Sequence, residues 1–157
     1  MSMIAAPFII SLSQLPHYDS LQTPEHLASW LQSRVTEGLD WFDHADTEIA
    51  GETLLGQAIA QNPGLGERMN VILRMGVVPA QQNSDRFGAK YYDTRPEYLD
   101  QALDRSLARM GLTQVHTLML MRPDPLMDVK ATGQTLDAIV ASGRARHIGV
   151  ALSLIHI

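Results

Sequence analysis

Asp43, Arg74 and Met121 stand at or near the ends of three apolar, strand-like runs, and Glu48 follows Asp43 by five residues. Folds that alternate strands and helices gather reacting groups where strand ends meet loops on one side of the sheet. A carboxylate and a guanidinium placed there can pair, or can hold the polar end of a ligand. Arg74 carries its charge at every relevant pH. Glu48 gives a proton only when protonated, and the like charge of Asp43 would disfavour its ionisation. Met121 has no hydrogen to donate. On the residues alone, Asp43 has two open roles: a site carboxylate, or a strand-end group that accepts backbone hydrogen bonds. Arg74 is foremost a partner that neutralises it, and Met121 foremost packing at the mouth of the site.

Other titratable residues give weaker signals. His44 and Asp46 alternate with Asp43 and Ala45, so on an extended strand they face the other way. A metal site built from Asp43, His44 and Asp46 would need both faces of the strand, and none is expected. His26 and Glu37 belong to a solvated helix face, while His116 and His147 each lack a spaced partner. Gly64-Leu65-Gly66 is not followed by the remainder of a phosphate loop and reads as a turn.

The elements that must position these residues follow from periodicity. Residues 8–12 form a first strand-like run, which Pro16 and Asp19-Ser20 end. Thr23 is a helix N-cap with Pro24 in the first helical position. Leu27, Leu31 and Val35 then repeat every fourth residue until Gly38 stops the helix. Residues 39–42 give a second strand and residues 53–60 a second helix closed by Asn62-Pro63. Residues 69–78 are continuously apolar, as a buried parallel strand requires. Asp93 or Thr94 caps a third helix marked by Leu99, Leu103, Leu107 and Met110 before Gly111. Residues 115–121, 130–141 and 146–150 complete the series as strand, helix and strand. This βαβαβαβαβ order predicts an α/β fold with a parallel sheet, of the (β/α)₈ TIM-barrel type, reduced to about five strands and four helices. Five strands cannot close an eight-stranded barrel.

Composition bounds the partners. The chain of 157 residues is 45% hydrophobic, enough for a single core. Its net charge is -5, with no cluster of Lys or Arg to track phosphates, so nucleic acid is not an expected partner. Cysteine is absent, which removes thiolate chemistry and fits a reducing, cytoplasmic compartment. No apolar stretch has the length of a membrane span. The last six residues, Leu152-Ser153-Leu154-Ile155-His156-Ile157, are what a common sequencing-adapter end encodes codon for codon. The expected division is therefore residues 1–151 as one barrel segment and residues 152–157 as a non-native tail.

Three runs carry a family resemblance: Gly38-Leu39-Asp40-Trp41-Phe42-Asp43-His44-Ala45-Asp46, Arg122-Pro123-Asp124-Pro125-Leu126-Met127-Asp128, and Gly143-Arg144-Ala145-Arg146-His147-Ile148-Gly149-Val150. In this order and at these separations they resemble the aspartate strand, the fourth-strand end and the fifth strand of the aldo-keto reductase superfamily. The likeness is nearest to its bacterial YdhF-like oxidoreductase branch and covers the N-terminal half only. It implies an NADP-dependent oxidoreductase that interconverts a small carbonyl substrate and its alcohol. In that family NADPH gives the hydride and a Tyr gives the proton. A Lys paired with an Asp lowers the Tyr pKa, and a His binds the carbonyl oxygen.

Position by position, Asp43 matches the family Asp and is retained. Glu48 stands at the Tyr position, Arg74 at the Lys position and Met121 at the His position, and no Tyr occurs between Tyr18 and Tyr91. The resemblance thus implies a family member impaired in standard carbonyl reduction. The alternative it leaves open is a pseudoenzyme barrel kept as a binding or regulatory module. Much of the family's NADP contact lies beyond the fifth strand, so this chain is not expected to bind the cofactor tightly, and no cofactor-binding residue is assigned. The Ser-Asn pair that usually follows the fifth strand is replaced by Ala151-Leu152.

Overall fold

The computed structural model describes residues 8–80, 88–122 and 124–151; the expected tail at 152–157 lies outside them. Five parallel strands form the main sheet: β1 (Ile10–Ser11), β2 (Trp41–Ala45), β3 (Asn70–Met75), β6 (Val115–Met121) and β7 (Ala145–Ala151), adjacent in that order. Helices α1 (Pro24–Thr36), α2 (Ile49–Gln61), α3 (Pro96–Met110) and α4 (Val129–Ala141) connect them. Every crossover moves to the next strand in the same direction, and right-handed crossovers then place all the helices on one face. That is the winding of a barrel segment rather than of a doubly wound sheet.

The core lies between sheet and helices, where Leu31 of α1, Phe42 of β2, Leu55 of α2, Leu73 of β3, Leu103 of α3 and Leu118 of β6 are each 0% exposed. Truncating one such leucine to alanine costs about 2–5 kcal/mol. The helix entries use the residues expected of them. Thr23 accepts the His26 amide at 3.3 Å, and Asp128 accepts the Ala131 amide at 3.0 Å. Gly56 lets α2 meet α3 closely, because a Cβ there would lie 2.0 Å from the Arg109 carbonyl oxygen.

Several boundaries differ from the sequence reading. The first strand is only Ile10–Ser11, an edge strand paired to Phe42 and Asp43. The second starts at Trp41 and runs through Asp43 to Ala45, since the Leu39 amide first closes the end of α1 on the Arg34 carbonyl at 2.9 Å. The second helix begins at Ile49, directly after Glu48, and runs to Gln61. The apolar run at 69–78 is not one strand. Gly76 has φ +102°, a conformation that glycine adopts without strain, and its carbonyl accepts the Asp93 amide at 3.1 Å. The chain turns there, and Val77–Val78 (β4) pairs antiparallel with Tyr91–Tyr92 (β5). Neither Asp93 nor Thr94 is the N-cap of α3, because Arg95 occupies that position with Pro96 following. Asp93 instead clamps Arg95, accepting from Nε at 3.0 Å and Nη2 at 2.6 Å.

Candidate active site at the strand ends

The parallel register sets Asp43 beside Ser11 and Ile72, Arg74 beside Ala45 and Met119, and Met121 beside Ala151. All three expected residues therefore reach the same end of the sheet. Arg74 is the hub. Its Nε lies 2.8 Å from Asp43 Oδ2, an ion pair in which the N–H is not aligned on the oxygen. Nη2 donates to the Ser13 hydroxyl at 2.7 Å, and among the described residues Nη1 reaches the Met121 thioether alone, at 3.9 Å. The other Asp43 oxygen, Oδ1, is buried and has no hydrogen-bond partner.

A cavity of about 600 Å³ opens over this cluster, lined among others by Ser13, Glu48, Arg74, Lys90, Met121 and Arg122. Glu48 occupies the N-cap position of α2 but makes no capping hydrogen bond with its side chain. Arg122 enters with φ 70°, a left-handed conformation unusual for a residue with a side chain, and its amide is tied to the Ala151 carbonyl at 2.9 Å. The Asp124 carboxylate fixes the loop that follows. It accepts the Thr94 hydroxyl at 3.0 Å and the Leu126 amide at 2.9 Å. Ser13, Lys90 and Arg122 are not among the site residues read from sequence: Ser13 and Lys90 carry no signal in type or spacing, and Arg122 signals only through the strand-end run that it opens.

Behind this face, the alternate residues of β2 enter a separate buried network. His44 is 0% exposed, and its Nε2 lies 3.3 Å from the Glu48 carbonyl. Burial lowers its pKa to about 4, so the ring is neutral near pH 7. Burial, reinforced by the charge of Glu52, raises the Asp46 carboxyl to about 7, while the Tyr98 hydroxyl donates to it at 3.3 Å. Burial also raises Glu52, which Arg109 Nε contacts at 2.5 Å. Tyr98 is a phenol 52 positions from Asp46 in sequence, and its own pKa is raised by burial and by Asp46. It faces this network, and no phenol lines the cavity.

At the opposite end of the sheet, the expectation that His116 and His147 lack partners is corrected. The His116 ring lies 4.4 Å from Trp41 and 4.9 Å from His147, centroid to centroid. Contact between rings on different strands leaves no local spacing to read. Among the described residues, no group of three His, Asp or Glu could hold a metal ion.

Arg74 and its partners Ser13 and Met121 can orient a polar atom, but none of the three is a ready proton donor. Arg74 is a permanent cation, Ser13 is a poor acid, and Met121 donates nothing. A dinucleotide cofactor does not fit the described residues by themselves. Among the described residues, the cavity lining has no aromatic face for a nicotinamide or adenine ring to stack on.

Residues 14–155 match the Aldo/keto reductase family. The chain is 31% identical over 134 residues to a 6-dehydroglucose reductase of Agrobacterium fabrum, covering 84% of this chain and 45% of that protein. It is 29% identical over 128 residues to oxidoreductase YdhF of Escherichia coli, covering 79% and 42% respectively. In fold, it matches aldo-keto reductase AKR11C1 from Bacillus halodurans (holo form) with a TM-score of 0.72 at 15% identity, over 94% of this chain and 46% of that one. The barrel-type α/β fold read from the sequence is thus the fold found. The chain spans less than half the length of these relatives.

Proposed function

The chain belongs to the aldo/keto reductase family, and from that premise we propose that it is the N-terminal part of an NADP-dependent barrel oxidoreductase whose proton relay has been dismantled. The observation that carries this reading is the bonding of Arg74, which spans Asp43, Ser13 and Met121 at the centre of the cavity. In the family pattern a Lys there tunes a Tyr, and here no phenol lines the cavity. The substrate class is a small carbonyl compound or its alcohol, handled in the cytoplasm.

On the family resemblance NADP would supply the hydride when bound, and much of its contact would come from the portion of the relatives this chain does not span. What this chain's residues do is narrower. Arg74 keeps Asp43 neutralised, Ser13 fixes the guanidinium, and Nη1 is left to hold a substrate oxygen. None of them protonates the product alkoxide at neutral pH. Loss of a general acid costs about 10²- to 10⁴-fold, and loss of one oxyanion donor about 10²- to 10³-fold. Retention of the charged cavity alongside this loss favours a second reading, a pseudoenzyme that binds its ligand without turning it over.

The test is restoration in the full-length protein. Glu48→Tyr, Arg74→Lys and Met121→His together are expected to raise NADPH-dependent aldehyde reduction by more than the product of the single changes, because such residues act as a unit. Three single variants that each match the triple would overturn the reading.

A further inference from the structure

The lining of the cavity reverses the sign of the protein around it. The whole chain carries a net charge of -5. Yet among the described residues of this lining, Arg74, Lys90 and Arg122 set three cations against the carboxylate of Glu48. Asp43 lies beneath and is taken up by Arg74. Among the described residues, Lys90 and Arg122 form no ion pair, in contrast to Arg144, which is held by Asp100 at 2.6 Å and Asp104 at 2.7 Å. The Arg74 guanidinium is held in place on two sides by Asp43 and Ser13, so its free edge is already oriented. Among the described residues, the acceptor that edge meets is the Met121 thioether at 3.9 Å, a weak acceptor that an oxyanion displaces readily. Low-dielectric walls around a concavity of one sign focus its field on a ligand of the other.

We infer that this cavity binds a small oxyanion, a carboxylate or phosphate group, between the free edge of Arg74 and the side chains of Lys90 and Arg122. This rests on the reading that the cavity is the family's reaction site only in one respect: it makes the anion a feature of the substrate, a carbonyl compound with an acidic terminus. The binding itself does not depend on turnover. Arg74 would donate to the group from Nη1, the guanidinium nitrogen that neither Asp43 nor Ser13 holds, with a charge that stays fixed at every relevant pH. Glu48 would oppose it.

The experiment uses the full-length protein, free of cofactor, at constant ionic strength. Glutarate, inorganic phosphate and neutral 1,5-pentanediol are titrated by calorimetry. Glutarate or phosphate is expected to bind while the diol does not, and the tighter of the two identifies the group. Lys90→Gln and Arg122→Gln should each weaken the anion about 1.5- to 5-fold, the effect of one partly exposed charge, and Glu48→Gln should tighten it by a similar factor. Lys90 is exposed, so its substitution leaves the fold intact and carries the test even where Arg122→Gln does not fold. Equal binding of diol and anions, or anion affinity unmoved by both Lys90→Gln and Glu48→Gln, would overturn the inference. Displacement of the anion by NADP would also overturn it, since these cations would then serve the cofactor's phosphates. Aldehyde turnover does not enter these readouts, so the anion site and the oxidoreductase reading fail separately.

Discussion

The two faces of β2 show how one short strand serves two electrostatic settings. Asp43 faces the cavity, where its carboxylate and the Arg74 side chain keep 20% and 24% of their surface in solvent. His44 and Asp46 face the helices, where they are 0% and 7% exposed. On the wet side the carboxylate and the guanidinium pair. On the dry side the proton inventory changes instead: His44 stays neutral, Asp46 titrates near neutrality, and Glu52 keeps Arg109 against it. The cavity face can therefore exchange its side chains at modest cost to stability, whereas the network behind it cannot. On the proposed correspondence, three of the four family positions have changed on the cavity side, where such exchange is cheapest.

The largest effect should come from the dry side. Arg109→Met leaves Glu52, at 0% exposure, without its cation, and stranding one partner of a buried pair costs about 3–5 kcal/mol. Denaturant melts of the full-length protein measure it, and a loss no greater than that of a surface variant would erase the contrast between the faces.

The pH dependence sharpens the comparison next. His44 has a folded pKa of about 4, below its ordinary 6.5, so the unfolded chain binds the extra proton and His44 costs stability as pH falls from about 6.5 to 4. Asp46 runs the other way. Its folded pKa of about 7 lies above the ordinary carboxyl value near 4, so stability declines as pH rises from about 4 to 7. The two windows overlap and oppose each other, so His44→Gln should leave a stability that declines from about pH 4 to 7, and Asp46→Asn one that rises from about pH 4 to 6.5. Melts from pH 4 to 8 decide this, and slopes of the same sign in the two variants would contradict it.

Smaller effects follow. Asp43→Asn should cost about 1–2 kcal/mol, between the limits for exposed and buried pairs, because water still reaches Arg74. Tyr98→Phe should cost about 0.5–1.5 kcal/mol, the value of one hydrogen bond, and should shift Asp46 further upward, which carboxyl-detected NMR titration would register.

Sequence revealed what is local or periodic. The cap at Thr23, the face formed by Leu27, Leu31 and Val35, and the strand at Val115–Met121 all follow from spacing within one element. The pairing of Asp43 with Arg74 was also legible, because neighbouring parallel strands end on the same side. Long-range features were not. An apolar run cannot show that Gly76 turns the chain within it, and Ser13 is 61 positions from the guanidinium it holds. Lys90 and Arg122 join the cavity through a strand ending and a loop, whose residues obey no period. The Trp41, His116 and His147 contacts are made between three strands, so no spacing announces them.

The most direct test of the account is the turnover of unmodified full-length protein with NADPH and simple aldehydes under saturating conditions. The bonding of Arg74 and the absence of a phenol in the cavity predict a rate at least about 10²-fold below the usual enzyme range of about 1 to 10³ s⁻¹. A rate inside that range would contradict it, because the proton would then come from a group that this cavity does not contain.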